Sequence, residues 1–163
     1  MKKIAVLLLI CGIAAGCESS TTLVVTEKFN AMLSGTKVKP AAVQTGGTGT
    51  LVITSSSDTS ALRYDLRFNG LSSSATSAHI HGPAVDTAVA GILVDFAALP
   101  TGGQGSIQLG TNGSATGSFD LHSSVTPTVT GDSLFKLLKA GLLYVDVHTV
   151  THGDGEIRDQ VRR

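Results

Sequence analysis

An all-β fold with one short helix near residues 133–140, either an immunoglobulin-like β-sandwich or a Greek-key barrel, is what three observations in this sequence predict. Short segments with apolar residues at every second position recur along the chain, which is the period of a half-buried strand. Small residues punctuate those segments: there are 19 Gly, 17 Ser and 19 Thr, against only 4% aromatics. That profile suits short strands joined by tight turns. Crossover helices of the kind a parallel sheet needs are missing. At 163 residues and 42% hydrophobic, the chain fits one domain with a packed core.

The elements read in order as follows. Lys2 and Lys3 precede a run of apolar residues from Ile4 to Ile13, and Ala14-Ala15-Gly16-Cys17 follows. This is the three-part pattern of a secretory signal. The apolar run is too short to cross a bilayer core of roughly 30 Å as a helix. The small residues ending at a cysteine resemble a bacterial lipobox, although Ala14 stands where such motifs more often carry Leu. The resemblance implies cleavage before Cys17 and lipid attached to its thiol. Residues 1–16 are then a leader, 17–27 a lipid-anchored tether and 28–163 the folded domain. The expected location is the bacterial cell envelope, with the domain facing the periplasm or the exterior. Cys11 leaves with the leader and Cys17 carries lipid, so no disulfide and no free thiol remain.

Within the domain, Phe29, Ala31 and Leu33 share one face of a strand that Ser34-Gly35 ends. Thr50 to Thr54 is a second apolar run. Ala61 to Asn69 alternates most clearly: Leu62, Tyr64, Leu66 and Phe68 point one way, while Arg63, Asp65 and Arg67 point the other. Ala78 to His81 stops at Gly82-Pro83, and Gly91 to Phe96 is rich in β-formers. Residues 105–109 and 115–121 read as a hairpin around Gly110 to Gly113. Ser133 to Ala140 spaces Leu134, Leu137 and Leu138 as a helix does, with Asp132 or Ser133 as its cap and Gly141 as its stop. Leu142 to Thr149 and Gly155 to Val161 are the closing strands, which makes about nine in all.

The chemistry concentrates in histidine. His79-Ile80-His81 places two imidazoles on one face of a strand, with Ile80 pointing into the apolar layer. Tyr144, Asp146 and His148 share a face of a later strand, and His152 follows in a loop. If those strands are neighbours, His79, His81 and His148 form a three-nitrogen site that Asp146 or His152 completes. Imidazole suits zinc and copper, and a carboxylate can instead orient a ligating ring. The alternative is that these rings simply hydrogen-bond strand to loop. Glu156 and Arg158 are two apart, so on a strand they share a face, where Arg158 can make a forked contact with Asp146.

Other functions are poorly supported. A formal net charge of +0 and only 15% charged residues argue against nucleic acid as a partner. No G-x-S-x-G elbow and no phosphate-cradling G-x-x-x-x-G-K occurs. The expected partners are a membrane, through the lipid, and an unidentified protein or small ligand.

Four segments together resemble the CHRD domain, named from chordin and also found in bacterial secreted proteins. They are Phe29-x-Ala31-x-Leu33-Ser34-Gly35, His79-Ile80-His81-Gly82-Pro83, Tyr144-Val145-Asp146-Val147-His148-Thr149 and Gly155-Glu156-Ile157-Arg158. They cover residues 28 to 161. The resemblance implies an immunoglobulin-like or barrel-like fold and little about activity. The chain departs from the family pattern at Thr36 to Pro40, where an acidic residue and a proline pair are usual. It also departs at Asp146, where Asn is common, and at Asp159, where Gly is. A looser likeness, resting on the H-x-H strand and the fold class, is to copper/zinc superoxide dismutase; the disulfide cysteines of that enzyme are not recognisable. Two functions follow as expectations: a binding or structural domain without catalysis, or a domain that holds copper or zinc through its histidines.

Overall fold

The computed structural model describes residues 26–56, 58, 60–98, 103–126 and 129–163. The leader, Cys17 and most of the tether lie outside the described residues. Strand β1 is Lys28–Ser34, β2 Thr48–Ser55, β3 Ala61–Asn69, β4 Ala75–His81, β5 Ile92–Asp95 and β6 Gly103–Gln108. They are followed by β7 (Gly113–Asp120), β8 (Ser124–Thr126), β9 (Val129–Thr130), β10 (Tyr144–Thr149) and β11 (Ile157–Gln160). Among the described residues a single 3-10 turn covers Gly35–Lys37, and one helix, α1, covers Gly131–Lys139.

Nine of these strands form one antiparallel sheet in the order β5-β4-β10-β11-β1-β2-β3-β7-β6, curled into a half-barrel. The remaining two, β8 and β9, make a small separate ribbon. The all-β architecture with one helix is therefore as expected, built as a single curled sheet rather than two stacked ones. Strands β1, β2 and β3 form a meander held residue by residue from Lys28↔Thr54 to Ser34↔Thr48, and from Thr48↔Asn69 to Ser55↔Leu62. The β10–β11 hairpin joins that meander to the β4–β5 hairpin, because β11 pairs with β1 and β10 pairs with β4. The first and last strands thus meet, reinforced by the Asn30↔Arg162 bridge.

The alternation read from sequence is what fills the concave side. Phe29, Ala31, Leu33, Leu51, Ile53, Leu62, Leu66 and Phe68 are all buried. Each such large apolar side chain contributes roughly 1.5–3 kcal/mol relative to exposure. Tyr64 carries the packing across the interior, with ring centroids 4.9 Å from both Phe96 and Phe119. Phe29 meets Phe135 of α1 edge-on at 6.1 Å, so the helix is docked on β1 by aromatic contact. On the convex side of β3, Arg67 pairs with Asp65 at 2.9 Å in the open, an exposed pair worth less than about 1 kcal/mol.

The helix starts two residues before the Ser133 that its apolar spacing indicates, and its cap is Thr130, whose hydroxyl accepts from the Ser133 N–H. The reason lies at Gly131. A side chain there would meet the Asp120 carbonyl oxygen at 2.4 Å. Only glycine lets the first turn lie against the end of β7, where its N–H reaches the Ser123 carbonyl. Gly141, at φ +66°, follows the last turn as expected.

Candidate metal centre

Register gathers the site. In the β10–β4 pairing Tyr144 lies opposite His81, and Asp146 lies opposite His79. On the other side of β10, Asp146 lies opposite Arg158 of β11, and on the far side of β4, His79 lies opposite Asp95 of β5. One rung across four strands therefore reads Asp95, His79, Asp146, Arg158. Ala78, Ile80, Val145 and Val147 point the other way and are buried in the core. The polar rung faces away from the core, yet His79, His81 and Asp146 are each under a tenth exposed.

His79, His81, Asp146 and His148 offer one ligand atom each, all within 4.8 Å of one another. The Asp146 Oδ1 lies 3.1 Å from the Nε2 of His81 and 3.1 Å from the Nε2 of His148. The Nδ1 of His79 lies 3.1 Å from the Nε2 of His148 and 4.0 Å from the Asp146 Oδ1. In a tetrahedral shell with bonds of about 2.0–2.1 Å, ligand atoms stand about 3.3–3.4 Å apart. Three of the six separations are already close to that spacing, and the set as a whole lies within 4.8 Å.

The outer nitrogens decide what the inner ones can do. The His81 Nδ1 lies 2.9 Å from the Ala90 carbonyl oxygen, and the His148 Nδ1 lies 2.8 Å from that of Gly153. A carbonyl only accepts, so each ring donates there, and in its neutral form each keeps a lone pair on Nε2. The outer Nε2 of His79 has the Asp95 Oδ1 at 3.9 Å. His81 and His148 thus each donate to a carbonyl behind the ring and turn the other nitrogen inward, the arrangement that holds metal-ligating histidines in one tautomer, whereas the His79–Asp95 separation is too long for a hydrogen bond. Two lone pairs facing a carboxylate oxygen at 3.1 Å repel one another. Either added protons or a cation must lie between them.

In the metal-free state the protons fall unevenly. Burial alone would raise the Asp146 carboxyl, but the hydrogen bonds from His148 and His81 outweigh it and hold the group down at about 2. Burial works against a charged His148 ring, yet Asp146 and the Gly153 carbonyl hold its pKa above the usual value. His79 is pushed down by burial and by the neighbouring His148.

Tyr144 keeps the cluster in place. Its ring stacks on His81 at 4.7 Å with 3° between the planes, and the Arg158 guanidinium lies 3.6 Å over the same ring. Since β4 and β11 flank β10 on opposite sides, Tyr144 is sandwiched between the two. The Tyr144 hydroxyl donates to the Ala90 carbonyl and accepts from the Ala90 N–H. Arg158 donates to the Ala88 carbonyl at 2.6 Å. The loop after β4 is thereby tied down over His81. Sequence reasoning missed Ala88 and Ala90, because backbone carbonyls leave no signature in residue types.

Three expectations need correction. Arg158 does not make a forked contact with Asp146; it bonds loop carbonyls and stacks on Tyr144. Glu156 does not share its task either, because it lies just before β11 and turns toward the core side. There it is fully buried and accepts from Thr45 Oγ1, Ser72 N, Ser72 Oγ and Thr149 Oγ1 at 2.6–2.8 Å. Burial would raise its pKa, and those four donors lower it. Glu156 is a structural pin for three chain segments. His152 stands outside the cluster: it caps the turn after β10 through its backbone, the Thr149 N–H donating to its carbonyl.

An antiparallel half-barrel with a roofed histidine–aspartate cluster on its convex side defines the class: a β-domain with a candidate metal centre. The family model for the CHRD domain matches residues 29–161. The chain therefore belongs to the CHRD-domain family, and the match spans the strands that build the core and the cluster alike. No curated protein and no solved structure matches it significantly.

An ion at the His148 Nε2 would compete with the proton that Asp146 favours there, and this sets a pH dependence. The Asp146 pKa is depressed, so the stability its pairing contributes is present above 3.8 and lost as pH falls toward about 2. The His148 pKa is raised, so its share is fully present below 6.5 and is lost as pH rises through the folded value. Zinc affinity, measured by competition with a chromophoric chelator, is expected to increase as pH rises through and above 6.5. A flat profile would show that no ring proton leaves on binding.

Proposed function

We propose that this protein is a lipid-anchored, extracytoplasmic CHRD domain that binds one zinc or copper(II) ion through His79, His81, His148 and Asp146. The observation that carries the reading is the convergence of His79, His81, Asp146 and His148, whose ligand atoms lie within 4.8 Å of one another, with the Ala90 and Gly153 carbonyls behind two of the rings. Those carbonyls turn the Nε2 atoms of His81 and His148 toward one carboxylate oxygen, and His79 Nδ1 lies 3.1 Å from the second of them. Three imidazoles and one carboxylate suit zinc or copper(II), and the set contains no sulfur of the kind that selects copper(I). Four protein donors make a tetrahedral shell, which favours ion binding over turnover. If no ion binds, the same residues form a buried ion-pair network that fixes the pairing of β4 with β10.

The anchor rests on the leader pattern that ends at Cys17, with a polar segment from Glu18 to Thr22 as the start of a tether. Among the described residues no helix is long and apolar enough to cross a membrane. Several acyl chains on one cysteine hold a protein to a bilayer far more firmly than a single chain does.

Two experiments test this function. Elemental analysis of protein refolded with zinc or copper(II) is expected to give one ion per chain. Histidine 81 replaced by alanine (His81→Ala) should weaken binding more than about 100-fold, whereas His152→Ala should leave it unchanged. Stoichiometric metal that survives His81→Ala would place the ion elsewhere. In a bacterial host, Cys17→Ser is expected to move the protein from the membrane fraction to the soluble one. Retention of the variant in the membrane fraction would remove the lipid anchor.

A further inference from the structure

A cavity of about 330 Å³ opens against the cluster, and its wall includes His81, Asp146 and His148. Three of the four candidate ligands therefore border one open space, so an ion held by them is not sealed in protein. Lys39, Tyr144, Asp154 and Arg158 also line the cavity. Lys39 comes from the segment after the 3-10 turn, far in sequence from the histidines, and makes no ion pair among the described residues. Arg158 is 3% exposed and its Nε–H has no hydrogen-bond partner. A buried guanidinium with an unused donor is rare, because such a group normally finds an acceptor.

The charges point one way. A divalent ion neutralised by only one carboxylate, with Lys39 and Arg158 opposite a single Asp154, leaves the loaded pocket positive. The volume lies within the range of small-molecule sites. Zinc and its chemical relatives accept a fifth ligand when space is open beside the shell. We propose that this pocket is an anion subsite: a small carboxylate binds on the open side of the ion, one oxygen toward the metal and the other toward Lys39, with Arg158 supplying positive field from the wall. This rests on the metal reading above and adds to it the class of the second ligand.

The test uses the whole protein loaded with cobalt(II) as a visible stand-in for zinc, with formate as the probe. Cobalt content is measured first. Formate is then titrated while the cobalt visible bands are followed. The expected result is a saturable loss of band intensity, as a four-coordinate ion gains a fifth ligand. In Lys39→Met, cobalt content should stay at one per chain while formate affinity falls at least about fivefold, the loss of one charge-assisted bond. Lys39→Arg should restore most of the affinity. If the protein holds no cobalt, the metal reading fails and the subsite falls with it. If cobalt is bound and formate leaves the bands unmoved, or if Lys39→Met binds formate as tightly as the parent, the anion subsite alone is overturned.

Discussion

The pairing register of β4 with β10 is the constraint on which the rest of the site depends. His79 faces Asp146 and His81 faces Tyr144 because those residues are direct partners across the ladder. Side chains alternate along a strand with a period of two, so a slip of one residue would send His79 and His81 into the core and bring Ile80 out. Such a slip is opposed twice. Ala78 and Ile80 on β4, with Val145 and Val147 on β10, are fully buried in the core. Glu156, meanwhile, ties the end of β10 to the loops at Thr45 and Ser72. The apolar face therefore sets the positions of the polar one.

Gathering charge and imidazole under a roof is costly unless every group has a partner, since half-satisfied buried networks are worse than apolar packing. Here the partners are supplied mainly by backbone. The loop after β4 gives Ala90 to His81 and to Tyr144, and Ala88 to Arg158. The turn after β10 gives Gly153 to His148. Tyr144 serves at once as a stacking surface for His81, a platform for Arg158 and a clasp on the loop. The His81 and His148 rings are thus held by backbone acceptors before any ion arrives, which lowers the ordering that binding would require.

Much of this was legible in the sequence, and the rest was not for identifiable reasons. The strand faces around Phe29, Leu66 and Val147 follow from period-two alternation. The convergence of His79, His81 and His148 follows from two same-face patterns, given that their strands are neighbours. What periodicity cannot give is where a long side chain turns: Arg158 does lie opposite Asp146 across the β10–β11 ladder, yet its guanidinium reaches over Tyr144 instead. Residue types also hide backbone acceptors, so the oxygens behind the histidines were invisible. Two residues apart means one face on a strand, which sets Glu156 beside Arg158 in the sequence reading; β11 begins only at Ile157, which frees Glu156 to turn inward. The helix cap was misread for the same kind of reason: whether Gly131 can start a turn depends on the backbone of β7 beneath it.

The tautomers of three rings are the most direct test of the metal centre. Nitrogen-15 spectra of the histidines should show His81 and His148 protonated at Nδ1 and His79 at Nε2 once one equivalent of zinc is added. The opposite nitrogens, His81 Nε2, His148 Nε2 and His79 Nδ1, should move together to metal-bound shifts, while His122 and His152 stay where they were. Ring nitrogens of His79, His81 and His148 that ignore the added zinc would contradict a shared ion and leave the cluster a purely structural network.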